Sequence, residues 1–111
     1  MTNRLKQVNE LIKEELGKII LQEVEFPKEN LVTISRTDTT PNLSESHVYV
    51  SVIGKDQDQV LSLLRRKIYD IQHILNRRLN MRPIPKIVFR MEKETERAAK
   101  IEELIEKIKK K

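Results

Sequence analysis

Residues 47–89, HVYVSVIGKDQDQVLSLLRRKIYDIQHILNRRLNMRPIPKIVF, read as a strand, a helical segment, a proline-rich connector and another strand in unbroken succession. Over residues 47–53, Val48, Val50 and Val52 take one face and Tyr49, Ser51 and Ile53 the other, which is the period-two alternation of a half-buried strand. Gly54 closes it, and Asp56 or Asp58 is placed to cap the helix that follows. Val60, Leu64, Ile68, Ile71, Leu75 and Leu79 then recur at three- and four-residue spacing, an apolar stripe on a helical surface. Asn76 and Asn80 are the positions at which a kink and a helix end are expected, because asparagine competes for backbone hydrogen bonds and tolerates left-handed geometry. The stripe fits one helix or two. Met81-Arg82-Pro83-Ile84-Pro85 suits an extended connector, and residues 86–91 alternate Ile87, Phe89 and Met91 with Lys86, Val88 and Arg90, a further strand.

Upstream, Leu5, Val8, Ile12, Leu16, Ile19 and Ile20 fall on one face of a helix over residues 4–23, which Phe26-Pro27 terminates. Val32 and Ile34 alternate with Thr33 and Ser35 in a strand over residues 31–36, expected to pair antiparallel with residues 47–53. Between them, residues 37–46 are rich in Thr, Ser, Asn and Pro and read as a turn segment. Downstream, residues 94–111 place Ile101, Leu104, Ile105 and Ile108 on one side of a last helix, with lysines crowded at its end. The order is α-β-β-α(-α)-β-α, an α+β domain spanning residues 1–111 with a three-stranded sheet.

Charge is placed rather than spread. Residues 56–90 carry eight Lys and Arg against three Asp and Glu, whereas residues 1–55 carry seven against eight and residues 91–111 seven against six. The whole chain of 111 residues has a formal net charge of +5. A positive balance concentrated on one helical segment and its connector is an electrostatic footprint for a polyanion, with nucleic acid the leading partner class. Only four aromatic residues, Phe26, Tyr49, Tyr69 and Phe89, are present, which argues against a platform of several stacked bases and for recognition by phosphate contacts and shape. With no cysteine there is no disulfide or thiolate zinc site, and no stretch approaches the ~18 apolar residues of a membrane span, so a cytoplasmic protein is expected.

Three patterns give the chain a resemblance over nearly its whole length: RLKQVNELIKEEL near the N-terminus, LVTISRTDTTPNLSESHVYVSVIG in the centre, and LNMRPIPKIVF after the long helical segment. In this order and spacing they resemble the ribosome-binding factor A family. The resemblance implies a type II KH-like domain, with helices on one face of a three-stranded sheet. It also implies a factor that binds the free or immature 30S small ribosomal subunit and assists late maturation of 16S rRNA. The chain departs from the family pattern at Lys67-Ile68-Tyr69, where a small Ala-x-Gly step kinks the helix pair in many members. It departs again at Gln72, where arginine is common, and at Asn42, where aspartate is common. Neither Gly17 nor Gly54 belongs to a G-x-x-G loop, so the usual KH clamp on single-stranded RNA is missing from the sequence.

Candidate RNA-binding residues follow from the charge. Arg77, Arg78 and Arg82, with Lys86 close behind, form the first-ranked cluster, because arginine's planar fork holds phosphate oxygens bidentately at any relevant pH. The competing reading is that Arg77 or Arg78 simply complements the helix dipole. Arg65, Arg66 and Lys67 are consecutive and fan around the helix, so they cannot all meet one ligand. Lys86 and Arg90 share the strand face opposite Phe89 and look outward if helices cover the Phe89 side. Arg4, Lys6 and Lys13 lie beside Glu10, Glu14 and Glu15, where surface pairing is the simpler account. Ser44-Glu45-Ser46-His47 holds nucleophile, acid and base types but not their convergence from separate elements, and Asp56-Gln57-Asp58 lacks the later ligands of a calcium loop. The expectation is a monomeric, non-enzymatic RNA-binding factor without cofactor or metal. A KH-like module that binds protein without direct RNA contact is the alternative.

Overall fold

Three helices and three strands are present among residues 2–92, the residues described by the structure, a computed structural model. The helix expected over residues 94–111 lies outside the described residues. α1 (Thr2–Glu23) follows from its stripe: Ile12, Leu16, Ile19 and Ile20 are fully buried, Val8 nearly so, and Leu5 half-buried. Full burial of one such side chain contributes ~1.5–3 kcal/mol. Among the described residues, the surface pairing expected of Arg4, Lys6 and Lys13 falls instead to Lys18, 3.7 Å from both Glu14 and Glu15, its neighbours one turn back.

β1 (Leu31–Thr39), β2 (Glu45–Ile53) and β3 (Lys86–Met91) form one sheet in that order, β1 antiparallel and β3 parallel to β2. Val48, Val50 and Val52 face the core, paired across β1 with Thr37, Ile34 and Val32. β1 runs three residues beyond the expected strand because a bulge lies between Ile34 and Arg36. The extra residue, Ser35, resets the alternation, so Thr37 and Thr39 take up the core face that Val32 and Ile34 held. Both strands thus reach into the segment expected to be turn, and only residues 40–44 remain as the connection. There the Asn42 Oδ1 accepts from the Thr40 hydroxyl at 2.7 Å, the Ser44 hydroxyl at 2.8 Å and the Ser44 N–H at 3.1 Å. An aspartate in that place would make the same bonds.

A parallel pair needs a crossover, supplied by α2 (Gln57–Arg66) and α3 (Ile68–Arg78). The helices cover the face formed by Val48, Val50, Val52, Ile87 and Phe89, all buried. Asp56 occupies the cap position of α2, but its carboxylate makes no capping bond. It accepts instead from the Asn30 side chain at 2.9 Å, while the Asn30 Oδ1 accepts the Asp56 N–H at 3.2 Å. Asn30 also donates to the carbonyls of Pro27 and Lys28, so it ties the α1–β1 connection to the β2–α2 connection. Gly54 passes this junction at φ 151°, and any Cβ there would run into the Asn30 carboxamide.

Candidate nucleic-acid interface

The helical segment is two helices, and the break falls at Lys67 rather than at Asn76. Lys67 has φ −92° and ψ 5°, the sparsely populated bridge region, yet its N–H still reaches the Leu63 carbonyl at 3.0 Å and its carbonyl accepts from Ile71 at 3.0 Å. The ladder therefore continues through a change of local geometry. Val60 and Leu64 are buried before the break and Ile71 and Leu75 after it, with Ile68 only half-buried between them. Arg66, Lys67 and Tyr69 are exposed at the break, Tyr69 to 82%. α3 ends at Arg78, two residues before Asn80.

β3 is an edge strand, and two of its outward backbone groups, the Ile87 N–H and the Phe89 carbonyl, are met by side chains from the crossover. The Gln72 Oε1 accepts the Ile87 N–H at 2.8 Å, and its Nε2 donates to the Pro85 carbonyl at 3.1 Å and to Asn76 at 3.0 Å. About two turns earlier, the Arg65 Nη2 donates to the Phe89 carbonyl at 3.4 Å. Gln72, a departure from the family pattern, thereby fixes the connector to α3. Arginine, which only donates, could not accept the Ile87 proton.

Arg77 and Arg78 stand at the end of α3, Arg82 follows in the connector, and Lys86 starts β3. Arg78 is engaged by α1: its Nη1 lies 3.5 Å from the Glu15 carboxylate and its Nη2 donates to Gln22 at 3.0 Å. Arg77 and Lys86 are exposed, and Arg82 bonds only its neighbour's carbonyl, Met81 at 3.0 Å, among the described residues. The Arg82–Pro83 peptide is cis.

The sheet face away from the helices carries the rest. Arg90 is exposed there, its Nε donating to His47 Nδ1 at 2.8 Å, while His47 Nε2 lies 3.4 Å from Glu45. In the central row, Arg36 stands over the Tyr49 ring at 3.8 Å from its centroid and meets Glu92 at 3.2 Å. The Ser35 hydroxyl donates to the same carboxylate at 2.6 Å. Arg36 and His47 were not among the sequence candidates for RNA binding. The signal that would have found them is the bulge, which sets Arg36 opposite Tyr49 and Asp38 opposite His47. Ser46 is turned the other way, buried with its hydroxyl 3.0 Å from that of Thr39, so Ser46 and His47 do not converge.

Among the described residues, no group of three His, Cys, Asp or Glu is arranged to hold a metal ion, and no helix is long and apolar enough to cross a membrane. Fold and surface together define a small KH-like α+β domain with exposed cations on its crossover, its connector and the sheet face away from the helices. Residues 4–105 match the ribosome-binding factor A family. The chain is 35% identical over 109 residues to ribosome-binding factor A of Akkermansia muciniphila, covering 97% of this chain and 86% of that one. It superposes on the crystal structure of ribosome-binding factor A from Thermus thermophilus with a TM-score of 0.69 at 25% identity, covering 78% and 93% of the two chains. A homology model of the Thermus thermophilus factor, fitted into a cryo-electron microscopy map of a 30S complex of that factor, matches with a TM-score of 0.64 at 26% identity, covering 74% and 88%. The chain belongs to the ribosome-binding factor A family.

Proposed function

We propose that this chain is a non-enzymatic assembly factor of the cytoplasm that binds the free or immature 30S subunit and assists late maturation of its 16S rRNA. The observation that carries the reading is the family match over residues 4–105, supported by the fitted 30S complex of the Thermus thermophilus relative. The charge placement supplies a mechanism. Arg66, Lys67, Arg77, Arg82 and Lys86 are exposed and present phosphate contacts, while Arg65, Arg78 and Arg90 add positive potential from positions anchored by protein contacts. Such a factor needs no chemistry: tighter binding to an immature subunit conformation than to the mature one shifts the population toward the state it holds.

Co-sedimentation of the protein with isolated small subunits, large subunits and assembled ribosomes at low and moderate salt tests this reading. Preferential, salt-sensitive binding to free small subunits is expected. Replacing Arg77, Arg82 and Lys86 together with alanine is expected to flatten the plot of log affinity against log salt by about two to three units, at ~0.7–0.9 per lost phosphate contact. An unchanged slope in a folded triple variant refutes the site, and no ribosomal association at either salt refutes the function.

A further inference from the structure

A groove of about 740 Å³ is lined jointly by outward side chains of the sheet and by Leu61 and Arg65 of α2; it uses Arg65 and Arg90 but also has an apolar wall, which phosphate binding alone would not need. Asp38, His47, Tyr49, Leu61, Arg65 and Arg90 line it. Its two ends differ in charge. Arg65 and Arg90 lie toward β3, and neither is paired with a carboxylate among the described residues. Arg90 spends its Nε on an imidazole nitrogen of His47, which leaves its two Nη groups as donors. Toward β1 stands Asp38, with Glu45 beside His47 at the sheet's lower rim.

Between the ends lies Tyr49, whose ring is held by the Arg36 guanidinium 3.8 Å from its centroid. Arg36 lines no part of the groove and is balanced by Glu92, so it steadies the ring rather than competing for an anion. Such a volume suits one small, partly apolar ligand. A fixed aromatic ring, two unneutralised guanidiniums at one end and a carboxylate acceptor at the other match the parts of a nucleotide: base, phosphate and sugar hydroxyl.

We propose that this groove takes one unpaired ribonucleotide, its base against Tyr49 and its phosphate on Arg65 and Arg90, with Asp38 accepting from the ribose. The proposal rests on the RNA-binding reading above and makes the substrate a single-stranded segment. A paired base does not offer its flat face to a recessed ring without leaving its stack.

The chain has two tyrosines and no tryptophan, and Tyr69 is so exposed that Tyr69→Phe leaves Tyr49 as a lone emitter in an unaltered core. In that background a non-self-complementary RNA hexamer is expected to quench Tyr49 fluorescence saturably, and a hairpin of equal charge is not. With the hexamer end-labelled and read by anisotropy, Tyr49→Leu and Arg90→Gln are each expected to weaken binding about tenfold while hairpin affinity stays within twofold. Two substitutions guard against one disturbing the sheet, and circular dichroism reports the fold of each. No quenching at saturation, or hexamer affinity unchanged in both folded variants, overturns the groove. If the wild-type protein still sediments with small subunits in that case, the subunit-binding reading survives without it. Hexamer binding sensitive to both substitutions, without sedimentation, supports the groove and overturns that reading instead.

Discussion

Replacing Gln72 with alanine removes the side chain that serves both the connector and the edge of β3. The Ile87 N–H loses an acceptor at 2.8 Å and the Pro85 carbonyl a donor at 3.1 Å. A buried backbone group left without a partner costs ~1–3 kcal/mol. Both sites are only partly buried, so water recovers some of each bond and the lower end applies, ~1 kcal/mol apiece. Alanine's better helix propensity returns a few tenths of a kcal/mol. The expected loss is therefore about 2 kcal/mol, or a fall of roughly 8–16 °C in Tm for a domain of this size. Urea unfolding followed by circular dichroism measures it as a lower midpoint at unchanged slope. Gln72→Met separates hydrogen bonding from bulk, since it keeps the chain length with no donor and only a weak thioether acceptor, and it should lose nearly as much as alanine. If both variants stay within about 0.5 kcal/mol of the parent, Gln72 does not hold the strand edge and the reasoning fails. A wild-type-like methionine variant beside a destabilised alanine variant would make the role packing alone.

Two further substitutions probe other joints of the fold. Gly54→Ala places a methyl against the Asn30 carboxamide at a backbone φ of 151°, and a loss of about 2–3 kcal/mol is expected in thermal unfolding. Arg78→Ala removes the contacts to Glu15 and Gln22 and is expected to cost about 1 kcal/mol in urea unfolding, less at high salt, whereas the neighbouring Arg77→Ala stays within about 0.5 kcal/mol.

The core was legible because its elements keep strict periods. Val48, Val50 and Val52 alternate without interruption, and the α1 stripe is almost unbroken, so burial follows directly from spacing. What the spacing does not encode is a place where the backbone changes period. The bulge at Ser35 ended the apparent strand early, because the core face passes there from Val32 and Ile34 to the polar Thr37 and Thr39. The helix break at Lys67 falls where the family's small Ala-x-Gly step would kink the pair, although this chain lacks that step. Its own residues did not signal it, since lysine has no local preference for ending a helix, and Asn76, which has one, sits on the exposed side of an intact α3. Asp56 looked like a cap because capping is a local property, but a partner 26 residues away, Asn30, took its carboxylate. The candidate site shows the same division: the cations of the connector are visible as composition, whereas the pairing of Arg36 with Tyr49 and of Arg90 with His47 depends on a register that only the folded sheet sets.

That division separates two kinds of cation within residues 56–90. Arg65, Arg78 and Arg90 spend donors on the protein itself, on the Phe89 carbonyl, on Glu15 and Gln22, and on His47. Arg66, Lys67, Arg77, Arg82 and Lys86 are exposed and, apart from the local bond of Arg82 to Met81, hold nothing together among the described residues. Like charges concentrated in a small domain repel one another, so this second group works slightly against the folded state. A bound polyanion reverses that balance, replacing repulsion by attraction and releasing the counterions that screened the phosphates. The two groups therefore differ in thermodynamic sign. On the RNA-binding reading proposed above, removing a cation of the first group is expected to lower stability and binding together, while removing one of the second is expected to lower binding and leave stability unchanged or slightly improved. Stability and RNA affinity measured side by side can therefore assign each of these residues to the scaffold or to the interface without a structure of the complex.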